Sequence, residues 1–162
     1  MNDQNKSISR RVFLSLLGLA VTALPAYSQG LVTFDKSKLA IKSSKKIHNF
    51  VVEMATSNQQ QAQGLMYRRS MAADAGMLFD YGSLQRIRMW MKNTYLPLDM
   101  LFIAPDGRIV QIVKRTVPGS LQVISSGESA IAVLEVNGGT TSRLKIKKGD
   151  WVKHAAFGAA KQ

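Results

Sequence analysis

The chain contains no cysteine, and this absence removes several classes of chemistry. Thiol catalysis, thiolate metal sites and iron–sulfur clusters all need a cysteine sulfur, so the sequence excludes them. A lipoprotein is excluded as well, because no cysteine follows the N-terminal apolar segment. The sequence also has no His-Glu-x-x-His zinc motif, no Gly-x-Ser-x-Gly nucleophile elbow and no Gly-rich phosphate loop. Thus no catalytic residue, resident metal or cofactor is assigned from motifs.

Acidic residues are scarce: 10 Asp and Glu stand against 22 Lys and Arg, which gives a formal net charge of +12. A basic protein is attracted to anionic lipid head groups, phosphates and acidic polymers, which predicts an anionic envelope component or a small ligand as partner. A generally solvated basic surface is the simpler interpretation. Nucleic acid is not predicted as a partner, because the C-terminal lysines have only Trp151 as a nearby aromatic residue.

The N-terminal segment has the pattern of a twin-arginine export signal. Ser9-Arg10-Arg11-Val12-Phe13-Leu14 leads into an apolar stretch over residues 12–26. That stretch is shorter than the roughly 20 apolar residues of a membrane span. Ala26 and Ser28 supply the small residues of a cleavage site. We therefore predict a signal peptide over residues 1–28, export by the twin-arginine translocase, and a periplasmic or secreted mature chain without a stable transmembrane helix. An uncleaved N-terminal anchor is the alternative.

Beyond the signal, short apolar runs separated by turn residues predict an α+β fold. The sheet is expected to be mainly antiparallel and small, either barrel-like or strongly curved, with one or two short helices. Pro105-Asp106-Gly107 predicts a hairpin turn, and Thr56-Ser57 predicts a helix N-cap. The expected segments are a Lys-rich stretch (29–46), a domain (47–154) and a frayed tail (155–162). Strands are predicted at 38–42 (an edge strand), 47–55, 76–81, 85–93, 98–104, 108–115, 130–136 and 151–154, with helical segments at 58–65 and 140–144.

An ordered set of short motifs lies within the predicted domain. It comprises Gly64-Leu65-Met66-Tyr67-Arg68, Gly76-Met77-Leu78-Phe79, Trp90-Met91-Lys92-Asn93-Thr94, Pro97-Leu98-Asp99-Met100-Leu101-Phe102-Ile103, Asp106-Gly107, Val133-Leu134-Glu135 and Gly149-Asp150. In their order and spacing these motifs resemble the DUF192 family, small and mostly prokaryotic domains without a settled biochemical activity. The resemblance covers residues 47–154. It implies the same coarse fold class and leaves the molecular function open.

The motif around Trp90 supplies the first candidate for a binding site. Residues 85–93 alternate in polarity, so on a strand Arg86, Arg88, Trp90 and Lys92 share one face and Ile87, Met89 and Met91 the other. An aromatic ring beside a cation suits a sugar, a base or a phosphate-bearing ligand. Asn93 at the strand end can hydrogen-bond a ligand. The structural alternative is that Trp90 covers the core, Lys92 extends its ammonium into solvent and Asn93 caps a turn.

Two carboxylates and one arginine form the second candidate. Asp99 and Glu135 lie in apolar strands, where a charged group needs a partner, and Arg68 is a candidate partner for either. One interpretation is a structural ion pair between helix and sheet. The other is a pair of carboxylates flanking a cleft, which would make the protein an envelope glycan hydrolase.

Methionine is the third candidate, because six of the eight methionines fall between Met66 and Met100. Thioethers suit Cu(I), so a methionine-based copper carrier is an alternative, although methionine also fills gaps in apolar cores. Taken together, the sequence favours a non-enzymatic binding or accessory module. Its candidate ligand-binding residues are Arg68, Trp90, Lys92, Asn93, Asp99 and Glu135.

Overall fold

The computed structural model describes residues 32–44 and 46–158. The predicted signal peptide lies outside the described residues. Eleven elements follow along the described chain: β1 (Lys36–Ser43), β2 (Lys46–Ala55), α1 (Asn58–Gln63), β3 (Ala75–Gln85), β4 (Arg88–Met89), β5 (Leu98–Ile103), β6 (Ile109–Val113), β7 (Ile124–Ser125), β8 (Ala130–Asn137), α2 (Thr140–Arg143) and β9 (Trp151–Lys153). None of the helices in this part of the chain is long and apolar enough to cross a membrane.

Seven of these strands form one sheet in the order β6-β5-β8-β3-β2-β1-β9, and β4 pairs separately with β7. All neighbours in the large sheet are antiparallel except β2 and β3. A parallel pair needs a crossover connection, which α1 and residues 64–74 supply. The mainly antiparallel pairing and the hairpin of β5 and β6 agree with the sequence prediction.

The sheet curls into a half-barrel, as predicted, but the fold is closer to all-β than to the predicted α+β. The two described helices are only six and four residues long. Helix α1 begins at the predicted cap, where the Ser57 hydroxyl accepts from the Gln60 N–H and the Gln60 side chain accepts from the Ser57 N–H. It ends at Gln63, short of the predicted Leu65, because Gly64 adopts a φ of +48°.

The sheet buries an apolar core on each of its faces. Alternate residues of a strand point to opposite faces, so Leu134 and Val133 of β8 belong to different cores. Core A contains Leu78, Leu101 and Leu134, and core B contains Phe79, Phe102 and Val133. This division decides which polar side chains can meet.

Strand β1 is not the edge strand that its lysines predict. It pairs with β2 on one side and with β9 on the other, so the short β9 stands at this end of the sheet instead. Leu39 and Ile41 point into core A, while Lys38 and Lys42 are exposed. The lysines therefore mark the solvent face of the strand and not its edge.

The segment over residues 85–93 keeps the predicted alternation but not the predicted strand. Ile87 and Met91 are buried, and Arg88, Trp90 and Lys92 are exposed. Gln85 ends β3 and pairs with Ala130 of β8, and beyond it only Arg88–Met89 pairs with another strand, the two-residue β7.

The tail predicted to fray from Ala155 packs on the domain as far as the described residues extend. Phe157 is 8% exposed and contacts core A, and its N–H donates to the His154 carbonyl. Burial of the Phe157 ring stabilises the packing of residues 155–158 on the domain.

Candidate functional site

A cavity of about 190 Å³ opens beside core B and is lined by residues of α1, β3, β4 and β8. Phe79, Met66 and Met89 give it apolar walls, and the exposed side chains of Arg88 and Trp90 lie at its outer part. One water needs roughly 10–15 Å³ on this measure, so the cavity has room for a small ligand. We call it the Glu135 cavity, after its buried carboxyl group.

Glu135 lies on β8, opposite Met77 of β3 and Met100 of β5, and only 4% of it is exposed. Among the described residues, no side chain forms an ion pair with its carboxyl group. Burial raises the pKa of Glu135 to about 8, so the group is mostly protonated at neutral pH. A neutral carboxylic acid carries an O–H that can donate to a ligand in the cavity.

Tyr81 is the second titratable group of the cavity. Burial, and to a lesser extent the charge of Glu135, raises the pKa of Tyr81 to about 12. The phenol therefore keeps its proton, and its hydroxyl donates to the Met89 Sδ at 3.3 Å. Two protonated oxygens thus lie in a cavity with apolar walls.

Helix α1 forms one wall of the cavity and is fixed to the sheet by Gln61. The Gln61 Nε2 donates to the Asp80 carbonyl at 2.9 Å and to the Ala55 carbonyl at 3.3 Å. The chain then turns at Gly64, where an added Cβ would lie 3.1 Å from the Phe79 ring. A side chain at Gly64 would therefore press on the cavity wall as well as strain the turn.

Asp99 lies on the other face of the sheet and is fully buried there. Its carboxylate accepts four hydrogen bonds, from the N–H groups of Arg115, Gly139 and Thr141 and from the Thr141 hydroxyl, at 2.6–2.9 Å. Burial raises the pKa of Asp99, but the hydrogen bonds from Thr141, Gly139 and Arg115 outweigh it and leave the pKa below its ordinary value. Asp99 therefore holds the start of α2 and the end of the β5–β6 hairpin in place.

The two carboxylates cannot flank one cleft, which removes the glycan hydrolase alternative. Directly paired residues of neighbouring strands point to the same face, and Glu135 pairs with Met100 while Asp99 pairs with Val136. Asp99 accordingly points to the side of core A and Glu135 to the side of core B. An acid–base pair for glycoside hydrolysis needs both carboxyl groups beside the same bond.

Arg68 pairs with neither of its two predicted partners. Its guanidinium forms a two-pronged ion pair with Glu53 of β2, and it also lies 5.7 Å from the centre of the Phe34 ring. Glu53 is close because residue 68 follows α1, which crosses over from β2. The pair holds the crossover to the sheet.

Trp90 and Lys92 do share a face, as predicted: the Lys92 Nζ lies 5.7 Å from the centre of the Trp90 ring. Asn93 instead serves the turn, with a φ of +54°, and its Nδ2 donates to the Tyr67 hydroxyl at 2.8 Å. Of the six predicted site residues, Trp90 and Glu135 line the cavity, whereas Arg68, Lys92, Asn93 and Asp99 do not.

The methionine cluster divides between core and cavity. Met77, Met91 and Met100 are buried in core B, whereas Met66 and Met89 line the cavity. Among the described residues, no group of three or more His, Cys, Asp or Glu side chains could hold a metal ion.

The sequence analysis missed Tyr81 and Arg88 as cavity residues. A signal for Tyr81 was present, because it follows Met77 and Phe79 at a spacing of two and so shares their face. Arg88 had a similar signal, because it lies two residues before Trp90 and so shares its face, but only the position of β4 relative to α1 brings that face to the cavity.

The sequence model of the DUF192 family, described as an uncharacterised group, matches residues 39–154. Because the match spans most of the chain, the chain belongs to the DUF192 family. The match begins within β1, earlier than the predicted domain start at residue 47. No curated protein matches the chain.

Solved structures that are similar to this chain include the following two. One is a candidate transcription regulator from Sinorhizobium meliloti 1021, with 47% identity, a TM-score of 0.77, and coverage of 79% of this chain and 100% of that one. The other is a protein of unknown function from Novosphingobium aromaticivorans DSM 12444, with 32% identity, a TM-score of 0.74, and coverage of 82% and 94%.

Proposed function

We propose that this DUF192 domain is an exported binding module that holds a small polar ligand in the Glu135 cavity. Export rests on the twin-arginine pattern at Arg10 and Arg11, which favours a periplasmic or secreted location. The binding role rests on one observation. Glu135 is buried, has no intramolecular ion-pair partner among the described residues, and borders an open cavity.

A carboxyl group in a residue that is only 4% exposed is costly to the fold unless solvent or a ligand in the cavity reaches it. Asp99 of the same domain provides the contrast, because four donors satisfy it. The group that would satisfy Glu135 comes from a ligand in this proposal. Perturbed carboxyl groups in cavities are candidates for functional sites on general physical grounds.

The lining of the cavity defines the class of ligand. The inner end of the ligand should accept a hydrogen bond from the protonated Glu135. Its body should have an apolar face that packs against Phe79 and Met89. Its outer end should carry an acceptor or a negative charge, since Arg88 lies at the exposed part of the cavity with five N–H donors. Small hydroxylated rings and small organic acids fit this description.

The test is native mass spectrometry of the protein purified from its own host. Wild type is compared with Glu135→Leu, which removes the carboxyl group, and with Glu128→Gln as the control, because Glu128 is exposed and pairs with Lys148. A bound mass on wild type and on the control, but not on Glu135→Leu, is the expected result. The same mass on all three proteins would place the ligand elsewhere, and a bare mass on all three would refute tight binding in the cavity.

A second measurement uses the protonation state of Glu135. Because the pKa of Glu135 is about 8, wild type should release its ligand as the pH rises from 6.5 to 9.5. Glu135→Gln keeps a donor at every pH and should retain the ligand over the same range. If both proteins release it in parallel, proton donation by Glu135 is not what binds the ligand.

A copper carrier is the second candidate, and the positions of Met66 and Met89 favour it. Both thioethers line the same cavity, and a thioether pair suits Cu(I) better than any divalent ion. Equilibrium dialysis with Cu(I) under reducing conditions tests this, with the Met66→Leu/Met89→Leu variant as comparison. Retention of one copper by wild type and loss in the variant would support it, whereas equal retention would reject it.

DNA binding, which the regulator from Sinorhizobium meliloti suggests, is not favoured for this chain. A recognition helix must reach along the DNA groove, and the two helices in the described residues have six and four residues.

A further inference from the structure

Most of the exposed large apolar side chains lie close together in the described domain. Of ten such residues, five belong to two short stretches of chain, residues 90–95 and 117–123, and a sixth, Tyr67, is hydrogen-bonded to the first stretch through its backbone; the six are each 49–69% exposed. They are Tyr67, Trp90, Tyr95, Val117, Leu121 and Val123. Scattered apolar residues need no explanation, but a cluster of this kind marks an interaction site.

Backbone hydrogen bonds hold these stretches side by side. The Tyr67 N–H donates to the Asn93 carbonyl at 2.8 Å, the Met91 N–H to the Ser120 carbonyl at 3.0 Å, and the Gly119 N–H to the Thr94 carbonyl at 3.1 Å. The rings of Tyr67 and Tyr95 meet edge to face at 6.2 Å. The six side chains therefore belong to one continuous region.

The same region is strongly basic. Residues 86–97 and 114–127 contain five Lys and Arg and no acidic residue. Two of the local cations lie over aromatic rings: Lys92 over Trp90 at 5.7 Å and Arg69 over Tyr95 at 5.5 Å. We call this region, with its six apolar side chains and the cations Arg69, Arg88, Lys92 and Lys114, the aromatic–basic surface.

We propose that the aromatic–basic surface docks the domain on an anionic lipid bilayer. Tryptophan and tyrosine favour the level of the lipid head groups, because each has an apolar ring and one polar atom. Val117, Leu121 and Val123 are aliphatic and can enter the acyl region, while the cations lie among anionic head groups. Charge complementarity favours an anionic bilayer as the partner. The surface has cations around its apolar side chains, and residues 86–97 and 114–127 contain no acidic residue.

This inference does not rest on the ligand proposed for the Glu135 cavity, although Trp90 and Arg88 belong to both features. Docking through Trp90 would bring the opening of the cavity to the membrane surface. A ligand could then enter from the bilayer or from solution.

The two tryptophans of the chain allow a position-specific test. Trp151→Phe leaves Trp90 as the only tryptophan, and Trp90→Phe leaves Trp151, which is 42% exposed and lies on β9. Each full-length variant is mixed with vesicles of phosphatidylethanolamine and phosphatidylglycerol that carry bromine in the acyl chains. Bromine quenches only a tryptophan that enters the bilayer. Because the readout belongs to one side chain, membrane binding by the N-terminal apolar segment does not by itself produce it.

The expected result is at least twofold quenching of Trp90 and no quenching of Trp151. Quenching of Trp90 should decrease when phosphatidylcholine replaces phosphatidylglycerol. It should also decrease at 1 M salt, because the electrostatic screening length falls to about 3 Å. Quenching of Trp151, of both tryptophans equally, or of neither overturns the proposal. Quenching of Trp90 that ignores lipid charge overturns it too.

Two variants test whether docking depends on the aromatic–basic surface or on exposed apolar side chains in general. Leu121→Asp in the Trp151→Phe background should abolish the quenching of Trp90, because a carboxylate would have to enter the head-group layer. Ile47→Asp is the matched control, since Ile47 is also exposed but lies on β2. Equal effects of the two changes would refute docking through the aromatic–basic surface.

Discussion

Glu135 makes the stability of this domain depend on pH in a direction opposite to that of most carboxyl groups. Its pKa is 4.5 in the unfolded chain and about 8 in the folded domain, so between these values only the folded state holds the proton. The free energy of unfolding therefore falls as the pH rises, by roughly 1.4 kcal/mol for each pH unit. The part of the free energy of unfolding that depends on the Glu135 proton is fully present below pH 4.5 and is lost as the pH rises through about 8. Over the whole window the loss is about 5 kcal/mol.

Glu135→Gln removes this dependence, because glutamine has nearly the same shape and no charge to bury. Urea unfolding followed by tryptophan fluorescence should give nearly equal stabilities for wild type and Glu135→Gln at pH 5. At pH 9 the variant should be more stable by about 5 kcal/mol. Glu128→Gln is the control, since Glu128 is exposed and its removal should give no difference that grows with pH. A difference between Glu135→Gln and wild type that stays constant from pH 5 to pH 9 would refute the reasoning.

Three further predictions follow from the contacts. Asp99→Ala leaves three N–H groups and one hydroxyl without their acceptor, and both donors of Thr141 are buried, so it should lower the free energy of unfolding by about 3 kcal/mol; a loss below 1 kcal/mol in urea unfolding would contradict the structural role of Asp99. Gly76→Ala puts a Cβ 2.5 Å from the Glu135 carbonyl oxygen, so the β3–β8 pairing must shift and the melting temperature should fall sharply; an unchanged melting temperature would contradict that contact. A double-mutant cycle on Arg68 and Glu53 should give a coupling energy of about 1 kcal/mol, because the pair is partly exposed to solvent; a coupling near zero would mean that the pair does not stabilise the crossover.

Local patterns in the sequence predicted those parts of the fold that local interactions determine. The turn at Pro105-Asp106-Gly107 lies between two apolar runs and gives the β5–β6 hairpin. The Ser57 cap defines the start of α1, and the alternation around Trp90 correctly separates buried from exposed side chains. Each of these features depends on residues that are close in sequence.

Features that depend on distant residues were not predictable in this way. The partners of Asp99 include Gly139 and Thr141, some 40 residues further along the chain, so the sequence could not distinguish a structural carboxylate from a catalytic one. The opposite faces of Asp99 and Glu135 follow from the register of β5 on β8, which hydrophobic alternation does not specify across strands. The Glu135 cavity likewise depends on where α1 lies on the sheet.

The pairing of β1 with β9 joins the first and last strands of the described domain. Ala40 lies opposite Lys153, so these contacts close a chain loop of more than 100 residues. During synthesis β1 leaves the ribosome long before its partner exists, and until then one of its sides is an open edge with Leu39 and Ile41 beside it. The nascent chain therefore exposes an unpaired, β-prone edge until its final strand is made. Chaperone binding or misassociation should concentrate there, and the slow step of folding should be the arrival of β9.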